Sequence, residues 1–282
     1  MVSTNWRTHG RPAHANTRRV VDAGLASSSS TRLEGTSPMA RVLTTTGAES
    51  SSETIISATA VDRTSPLLPD LDRISRWGLW ALVVWTVFLF LGTISHQPDP
   101  RTDFAGFAGY VTTTEFLISH LVTSIVGAAF GVLALLALFT FLALRVPSRL
   151  AALGLCMAVI GNVMVTAIFG MAAFAQPAVG RLYLAGHTED AIATYNDMYG
   201  TPLSITAAIG LPLLVIGVIC IGVAVARSRV LPRWAGIGMA VGIVVFGLVG
   251  VILADFVQSI GAVVLIASTL WIAVSARRMS SE

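Results

Sequence analysis

The strongest constraint on the fold of this chain is a series of six long apolar stretches, each close to the length that a helix needs to cross a lipid bilayer. A hydrocarbon core about 30 Å thick requires roughly 20 apolar residues in helical conformation. With 54% hydrophobic and only 12% charged residues, the chain of 282 residues lacks the polar surface that a soluble domain needs. We therefore predict an all-α fold, a six-helix transmembrane bundle with helices near residues 77–94, 116–144, 150–174, 203–226, 234–254 and 257–274.

The arginines indicate how such a bundle is oriented. The chain contains no lysine, and seven arginines lie in every second gap between the apolar stretches or after the last of them: Arg145, Arg149, Arg227, Arg229, Arg233, Arg277 and Arg278. Short loops rich in arginine are retained on the cytoplasmic side during insertion. Both termini are therefore predicted to be cytoplasmic, which agrees with an even number of crossings. We attribute the sequence pI of 9.3 to arginines that face anionic lipid headgroups, so no nucleic-acid partner is predicted.

Residues 1–70 have a different composition from the rest of the chain. They are rich in Ser, Thr, Ala and Arg and have no sustained apolar period. A segment of this kind buries too little apolar surface to offset the entropy lost on ordering. We predict a disordered cytoplasmic tail over residues 1–70 and an integral membrane domain over residues 71–282.

His120 is the most conspicuous ionisable residue within a predicted crossing. An ionisable group inside the membrane is costly unless it is paired or hydrated. At 100° per residue, His120, Ser124, Gly127 and Gly131 fall within about 60° of one another on a helix, and small residues on such a stripe favour helix contact. The pattern predicts that His120 points into the bundle. There it is either satisfied by a hydroxyl group and water or takes part in function.

Asn162, Thr166 and Pro212 complete the candidate polar site inside the membrane. Asn162 lies near the middle of the third predicted helix, Thr166 follows one turn later, and Pro212 interrupts the fourth helix. Hydrogen bonding between helices is the ordinary use of such polar side chains, and contact with a substrate is the alternative. Pro212 is expected to kink its helix and free a backbone carbonyl, as happens both in structural helices and around transporter cavities.

A metal site on the outer side is a further hypothesis. His96, His187 and Asp255 lie in predicted outer connections, and His120 lies about one turn inside the same boundary. Imidazole and carboxylate groups together bind metals or relay protons. Their spacing enforces no cluster, however, and no HExxH motif is present, so no metal or other cofactor is predicted.

The longest predicted outer connection, residues 175–202, carries three tyrosines among acidic residues: Tyr183, Tyr195 and Tyr199. Tyrosine at the level of the lipid headgroups commonly anchors a protein at the interface. We predict interfacial tyrosines and a short helix near residues 189–198 that lies on the membrane.

Two short cytoplasmic connections are alike. Arg145-Val146-Pro147-Ser148-Arg149-Leu150-Ala151 aligns with Arg229-Val230-Leu231-Pro232-Arg233-Trp234-Ala235, and Gly154 and Gly238 follow at the same distance. An internally duplicated helical hairpin, as found in some transporters, is one interpretation. The other is that any short cytoplasmic turn favours proline and arginine.

The second of these turns resembles part of a known family. The stretch Arg227 to Gly236 contains Leu231-Pro232-Arg233-Trp234-Ala235-Gly236, which looks like the L-P-R-W-x-G element of the DUF4386 family, an uncharacterised group of bacterial multi-pass proteins. The resemblance covers mainly residues 203–254. It implies a small all-helical protein of the bacterial inner (plasma) membrane and no particular activity.

Composition narrows the possible functions. A chain without lysine has neither a Walker A phosphate loop nor a Schiff-base lysine, and two cysteines cannot form a four-cysteine zinc site. The leading hypothesis is a non-catalytic membrane protein that binds lipid or a small amphiphile, or that assists a membrane complex through a protein partner or a second copy of itself. The alternatives are a small transporter or permease, and an outward-facing metal-dependent membrane enzyme.

Overall fold

The computed structural model describes residues 67–94, 97–253 and 255–279, all of which belong to one unit, Ala60–Glu282. The regular secondary structure of these residues is entirely helical, which confirms the all-α prediction. Of the predicted tail, only residues 67–70 are described, and they belong to the first helix. The rest of the tail lies outside the described residues.

The helices follow one another through short connections. In chain order they are α1 (Leu67–Gly78), α2 (Trp80–Gly92), α3 (Phe104–Val111), α4 (Thr114–Ala143), α5 (Arg149–Leu184), α6 (Thr188–Met198), α7 (Thr201–Ser228), α8 (Arg233–Val249), α9 (Gly250–Leu253) and α10 (Asp255–Arg278). Two of them change helix type along their length, since α4 is π-helical over His120–Val126 and α8 is π-helical over Val245–Val249.

Five helical stretches in the described residues are long and apolar enough to cross a membrane. They are Leu68–Gly92, which joins α1 to α2, then α4, α5 and α7, and finally Phe256–Arg278 within α10. The sequence stretch near residues 234–254 forms the shorter apolar helix α8, followed by α9. These helices fit a multi-pass membrane protein.

The third predicted helix, residues 150–174, is ten residues shorter at its end than α5, which continues through Pro177 to Leu184. The added part packs against α3, where Val179 and Gly180 are buried. A methyl group on Gly180 would meet the carbonyl oxygen of Ala108 at 2.8 Å, so the two helices approach very closely. Tertiary packing therefore maintains the helix beyond its apolar stretch. The short helix predicted near residues 189–198 is confirmed as α6.

The long helices form a ring. Each of α2, α4, α5, α7, α8 and α10 packs against the next in the chain, and α10 packs against α2, which closes the ring. We call the end that carries the connections after α4 and α7 and the end of α10 the arginine-rich end. At this end the interior is filled by a continuous apolar core that includes Leu82, Leu138, Val225, Met239 and Ile272.

A cluster of ion pairs fastens α1 to α4 at the arginine-rich end. One carboxylate oxygen of Asp72 lies 2.5 Å from Nη2 of Arg76, and the other lies 2.5 Å from Nη2 of Arg145. The Arg145 guanidinium also lies 3.7 Å from the centre of the Phe141 ring and donates to the Phe141 carbonyl oxygen at 3.0 Å. Asp72 is thus shared between two helices that are distant in sequence.

Replacing Asp72 by asparagine is expected to lower the free energy of unfolding by about 1–2 kcal/mol, because the ion pairs with both arginines lose their negative partner. Thermal unfolding of the purified protein measures this loss. Asp70→Asn is the matched control, since Asp70 is an exposed carboxylate on the same helix with no ion pair among the described residues. Equal unfolding temperatures for the two variants would show that the cluster contributes nothing.

Candidate functional site

The half of the ring opposite the arginine-rich end holds a partly open cavity of about 300 Å³, which we call the central cavity. Every helix of the ring contributes to its wall, with one representative from each in the set Phe88, Thr123, Asn162, Leu211, Phe246 and Gln258. Natural ligand sites are often cavities of this kind, mostly apolar with a few polar groups, placed between the helices of a bundle.

The cavity wall is apolar at its centre and polar toward the end of the ring opposite the arginines, which we call the far end. Trp85, Phe88 and Leu214 belong to the apolar part. Thr123 and Gln258 lie close to the ends of α4 and α10 that are remote from the arginines. An amphiphile with an apolar body therefore matches the distribution of polar groups along this wall.

Asn162 is the deepest polar side chain of the wall. It lies about 20 Å along α5 from Arg149, at 1.5 Å per residue, and only 4% of its surface is exposed. Its amide nitrogen donates to the carbonyl oxygen of Ala128 on α4 at 2.9 Å. Its amide oxygen has no hydrogen-bond partner among the described residues. This oxygen is not fully buried, so it is open to a donor from the cavity, and a ligand with an O–H or N–H group would supply that hydrogen bond.

The other polar residues of the wall lie nearer the far end. The Thr93 hydroxyl is 2.8 Å from the Ser259 hydroxyl and donates to the Phe90 carbonyl oxygen at 2.7 Å. The side chains of Ser124 and Gln258 make no hydrogen bond within the described part of the chain. These two side chains are consequently available to a ligand or to water.

Both π-helical stretches border the cavity. Thr123 and Ser124 come from the π-helical part of α4, and Phe246 and Gly247 come from that of α8. A π-helical turn widens the helix locally and is frequent at functional sites. The two deviations from α-helical geometry thus coincide with the wall of one cavity.

His120 lies in the same π-helical stretch but is not part of the cavity wall. Its Nδ1 atom is 3.1 Å from the carbonyl oxygen of Phe116, and its ring centre is 4.0 Å from that of Phe116. A backbone carbonyl and an aromatic ring therefore accommodate the imidazole. Of the predicted stripe, Ser124 lines the cavity, whereas Gly127 packs against Phe88.

The remaining predicted site residues are distributed as follows. Thr166 donates to the backbone oxygen of Asn162 at 2.6 Å and is not part of the cavity wall. Pro212 lies within α7 beside the wall residue Leu211. The cavity therefore brings Asn162 and Ser124 together with residues that the sequence did not single out, such as Phe246 and Gln258.

Of the four proposed metal ligands, only His120 and His187 have described side chains. His187 precedes α6 and is exposed, with Nδ1 4.0 Å from a carboxylate oxygen of Asp190. His96 and the side chain of Asp255 lie outside the described residues. Within the described ranges, no group of three or more His, Cys, Asp or Glu residues is placed to hold a metal ion.

The tyrosines predicted as interfacial anchors belong to an aromatic cluster at the far end of the ring. Tyr195 packs edge-on against Phe104 and Phe107 of α3, with ring centres 5.7 and 5.2 Å away. Burial, with a smaller contribution from the nearby Tyr199, raises the pKa of Tyr195 to about 12. The Tyr199 hydroxyl accepts a hydrogen bond from the Gln176 amide nitrogen. The cluster thus holds α6 to α3 and the end of α5 with neutral phenols.

Helix α3 was not predicted, although the sequence carries a signal for it. The Asp103 side chain caps the helix by accepting from the backbone nitrogen of Gly106 at 2.8 Å, and an apolar run follows. An aspartate directly before such a run is a typical helix start.

Comparison of the chain with protein-family models, with curated proteins and with solved structures gave no significant match. The DUF4386 resemblance of the turn around Arg233 stays a prediction.

Proposed function

We propose that this protein is a six-helix protein of the bacterial plasma membrane that binds a small amphiphile in its central cavity without transforming it. The observation that carries the proposal is the amide oxygen of Asn162, an acceptor without a protein partner among the described residues, in a largely apolar cavity. The expected ligand has an apolar body and at least one hydrogen-bond donor. The polar side chains near the far end accommodate its more hydrophilic end.

The membrane arrangement is part of the proposal. Helix α8 packs between α7 and α10 as a member of the ring, which supports counting it as a sixth crossing. The arginines at one end of the ring support cytoplasmic termini. Reporter fusions test this, with cytoplasmic activity expected for a fusion after Arg229 and none for a fusion after Tyr199. The reverse result would overturn the orientation.

Ligand binding is tested with the purified full chain in lipid nanodiscs. 2-Naphthol has an apolar ring system and one O–H donor, and 2-methoxynaphthalene has the same ring system without the donor. Equilibrium dialysis, with empty nanodiscs subtracted, is expected to show that 2-naphthol binds roughly fivefold or more tightly than the methyl ether. Equal partition of both compounds into loaded and empty nanodiscs would refute the proposal. Mass spectrometry of solvent extracts from the purified protein then identifies the natural ligand.

A small permease is the second candidate function. Its support is the position of the cavity within a ring whose wall includes two π-helical stretches and a helix that contains Pro212. Broken or irregular helices at the centre of the membrane are typical of transporter sites. Proteoliposomes distinguish the functions, since a permease moves the extracted ligand across the bilayer and a binding protein only retains it.

A further inference from the structure

A second surface with the properties of a binding site lies at the arginine-rich end, between α7 and α8. It is an open groove of about 690 Å³, which we call the arginine groove. Arg227, Arg229 and Arg233 line one part of it, and apolar side chains that include Ile237 and Val241 line the rest. The groove is separate from the central cavity, with which it shares no residue.

The described part of the chain provides no negative charge for the arginine groove. None of the described acidic residues lines it. Among the described residues, Arg227, Arg229 and Arg233 take part in no ion pair, whereas Arg76 and Arg145 share Asp72. Three exposed guanidinium groups therefore face a common space without a counter-ion from the described residues.

The turn that carries these arginines is well organised. The Ser228 hydroxyl donates to the carbonyl oxygen of Val225 at 2.8 Å and accepts from the backbone nitrogens of Val230 and Leu231 at 3.2 and 3.4 Å. Arg229 has a left-handed backbone conformation with φ of 57°. Helix α8 begins at Arg233 without a side-chain cap, so the positive end of its dipole adds to the charge of the groove.

The groove extends from the expected headgroup level into the apolar layer. Trp234, next to Arg233, is 67% exposed, and exposed tryptophans concentrate at the interface between headgroups and acyl chains. Ile237 and Val241 follow at one-turn intervals along α8 on the groove side, away from the arginines. A charged lipid headgroup matches the arginines, and the start of an acyl chain matches the apolar surface of Ile237 and Val241.

We propose that the arginine groove binds an anionic phospholipid, with its phosphate on Arg227, Arg229 and Arg233 and an acyl chain along the apolar side of α8. Guanidinium groups bind phosphate oxygens through charge-assisted, often bidentate hydrogen bonds. A lipid with a net negative charge is selected over a zwitterionic one, because no carboxylate among the described groove residues pairs with a choline or ethanolamine group. This site is independent of the proposed function of the central cavity.

The experiment compares two lipids that share their acyl chains and phosphate and differ in the headgroup alcohol, and therefore in net charge. Native mass spectrometry of the purified full chain measures the retention of dimyristoylphosphatidylglycerol and of dimyristoylphosphatidylcholine. The phosphatidylglycerol is expected to bind several times more tightly, and Arg233→Gln is expected to weaken its binding about fivefold. Arg149→Gln is the matched control, since Arg149 is likewise exposed and begins a helix after an arginine-rich turn, yet does not line the groove. Arg227→Gln and Arg229→Gln provide the same measurement if Arg233→Gln fails to fold.

Three results would overturn the proposal. The first is equal retention of the two lipids by the unmodified chain. The second is equal retention of phosphatidylglycerol by Arg233→Gln and Arg149→Gln. The third is displacement of phosphatidylglycerol by inorganic phosphate at millimolar concentration, which would indicate a site for the free ion. None of them bears on 2-naphthol binding in the central cavity.

Discussion

Asn162→Leu is expected to weaken 2-naphthol binding by roughly tenfold to a hundredfold, because the donor of the ligand would be buried without an acceptor. The binding of 2-methoxynaphthalene, which has no donor, should change little. The ratio of the two affinities therefore isolates the hydrogen bond from any change in cavity shape. Equilibrium dialysis in nanodiscs measures both affinities for the same preparation.

Two further variants keep this prediction testable. Thr166→Val is the matched control, since Thr166 lies one turn from Asn162 on α5, bonds its own backbone and does not line the cavity. Its affinity for 2-naphthol should equal that of the unmodified chain. Ala207→Phe fills the cavity from α7 without altering Asn162, and it should reduce the binding of both compounds. If both Asn162→Leu and Ala207→Phe bound 2-naphthol as tightly as the unmodified chain does, the cavity would not be the binding site.

Gly161→Leu is expected to disrupt the bundle, with a loss of about 3 kcal/mol or more in the free energy of unfolding. Helices α5 and α7 have the most extensive contact of the ring. A first side-chain carbon at Gly161 would lie 2.6 Å from the carbonyl oxygen of Gly210 and 2.8 Å from Cα of Leu214. Backbone atoms cannot move aside as a flexible side chain does, so the two helices must separate. Thermal unfolding and size-exclusion chromatography measure the effect.

The same helix offers a matched control for this substitution. Gly170 also lies in α5, but a side-chain carbon there would meet nothing within 4 Å. Gly170→Leu should therefore unfold within a few degrees of the unmodified chain, while Gly161→Ala should fall between the two leucine variants. If Gly161→Leu and Gly170→Leu had the same stability, close backbone approach would not be what holds α5 to α7.

The apolar stretches were sufficient to predict most of the bundle. Length and hydropathy alone identify a crossing, because the bilayer excludes any spanning segment that leaves its backbone unpaired. They were insufficient where tertiary contacts determine the structure. The extension of α5 through Pro177 depends on burial against α3, and α3 itself packs against a part of α5 that the sequence suggested was an outer connection.

The candidate site was only partly predictable for a related reason. Asn162 was recognisable as a polar residue deep in an apolar helix, and it does line the cavity. His120 gave an equally clear signal, and it lies in the π-helical stretch of α4 beside Phe116, outside the cavity wall. Gln258 and Phe246 line the cavity because the helices close into a ring in which α10 packs against α2. No local sequence pattern predicts this closure.

The π-helical stretches also determine where the chain tolerates a change in length. In a regular α-helix, deleting one residue rotates everything beyond it by about 100° and turns packed faces toward lipid. A π-helical turn contains about one residue more than an α-helical turn, so a single-residue deletion inside His120–Val126 or Val245–Val249 leaves the flanking helix faces in phase. A chain that lacked one residue at either position would keep the same bundle around a narrower cavity, so the size of the cavity depends on helix length as well as on side-chain volume.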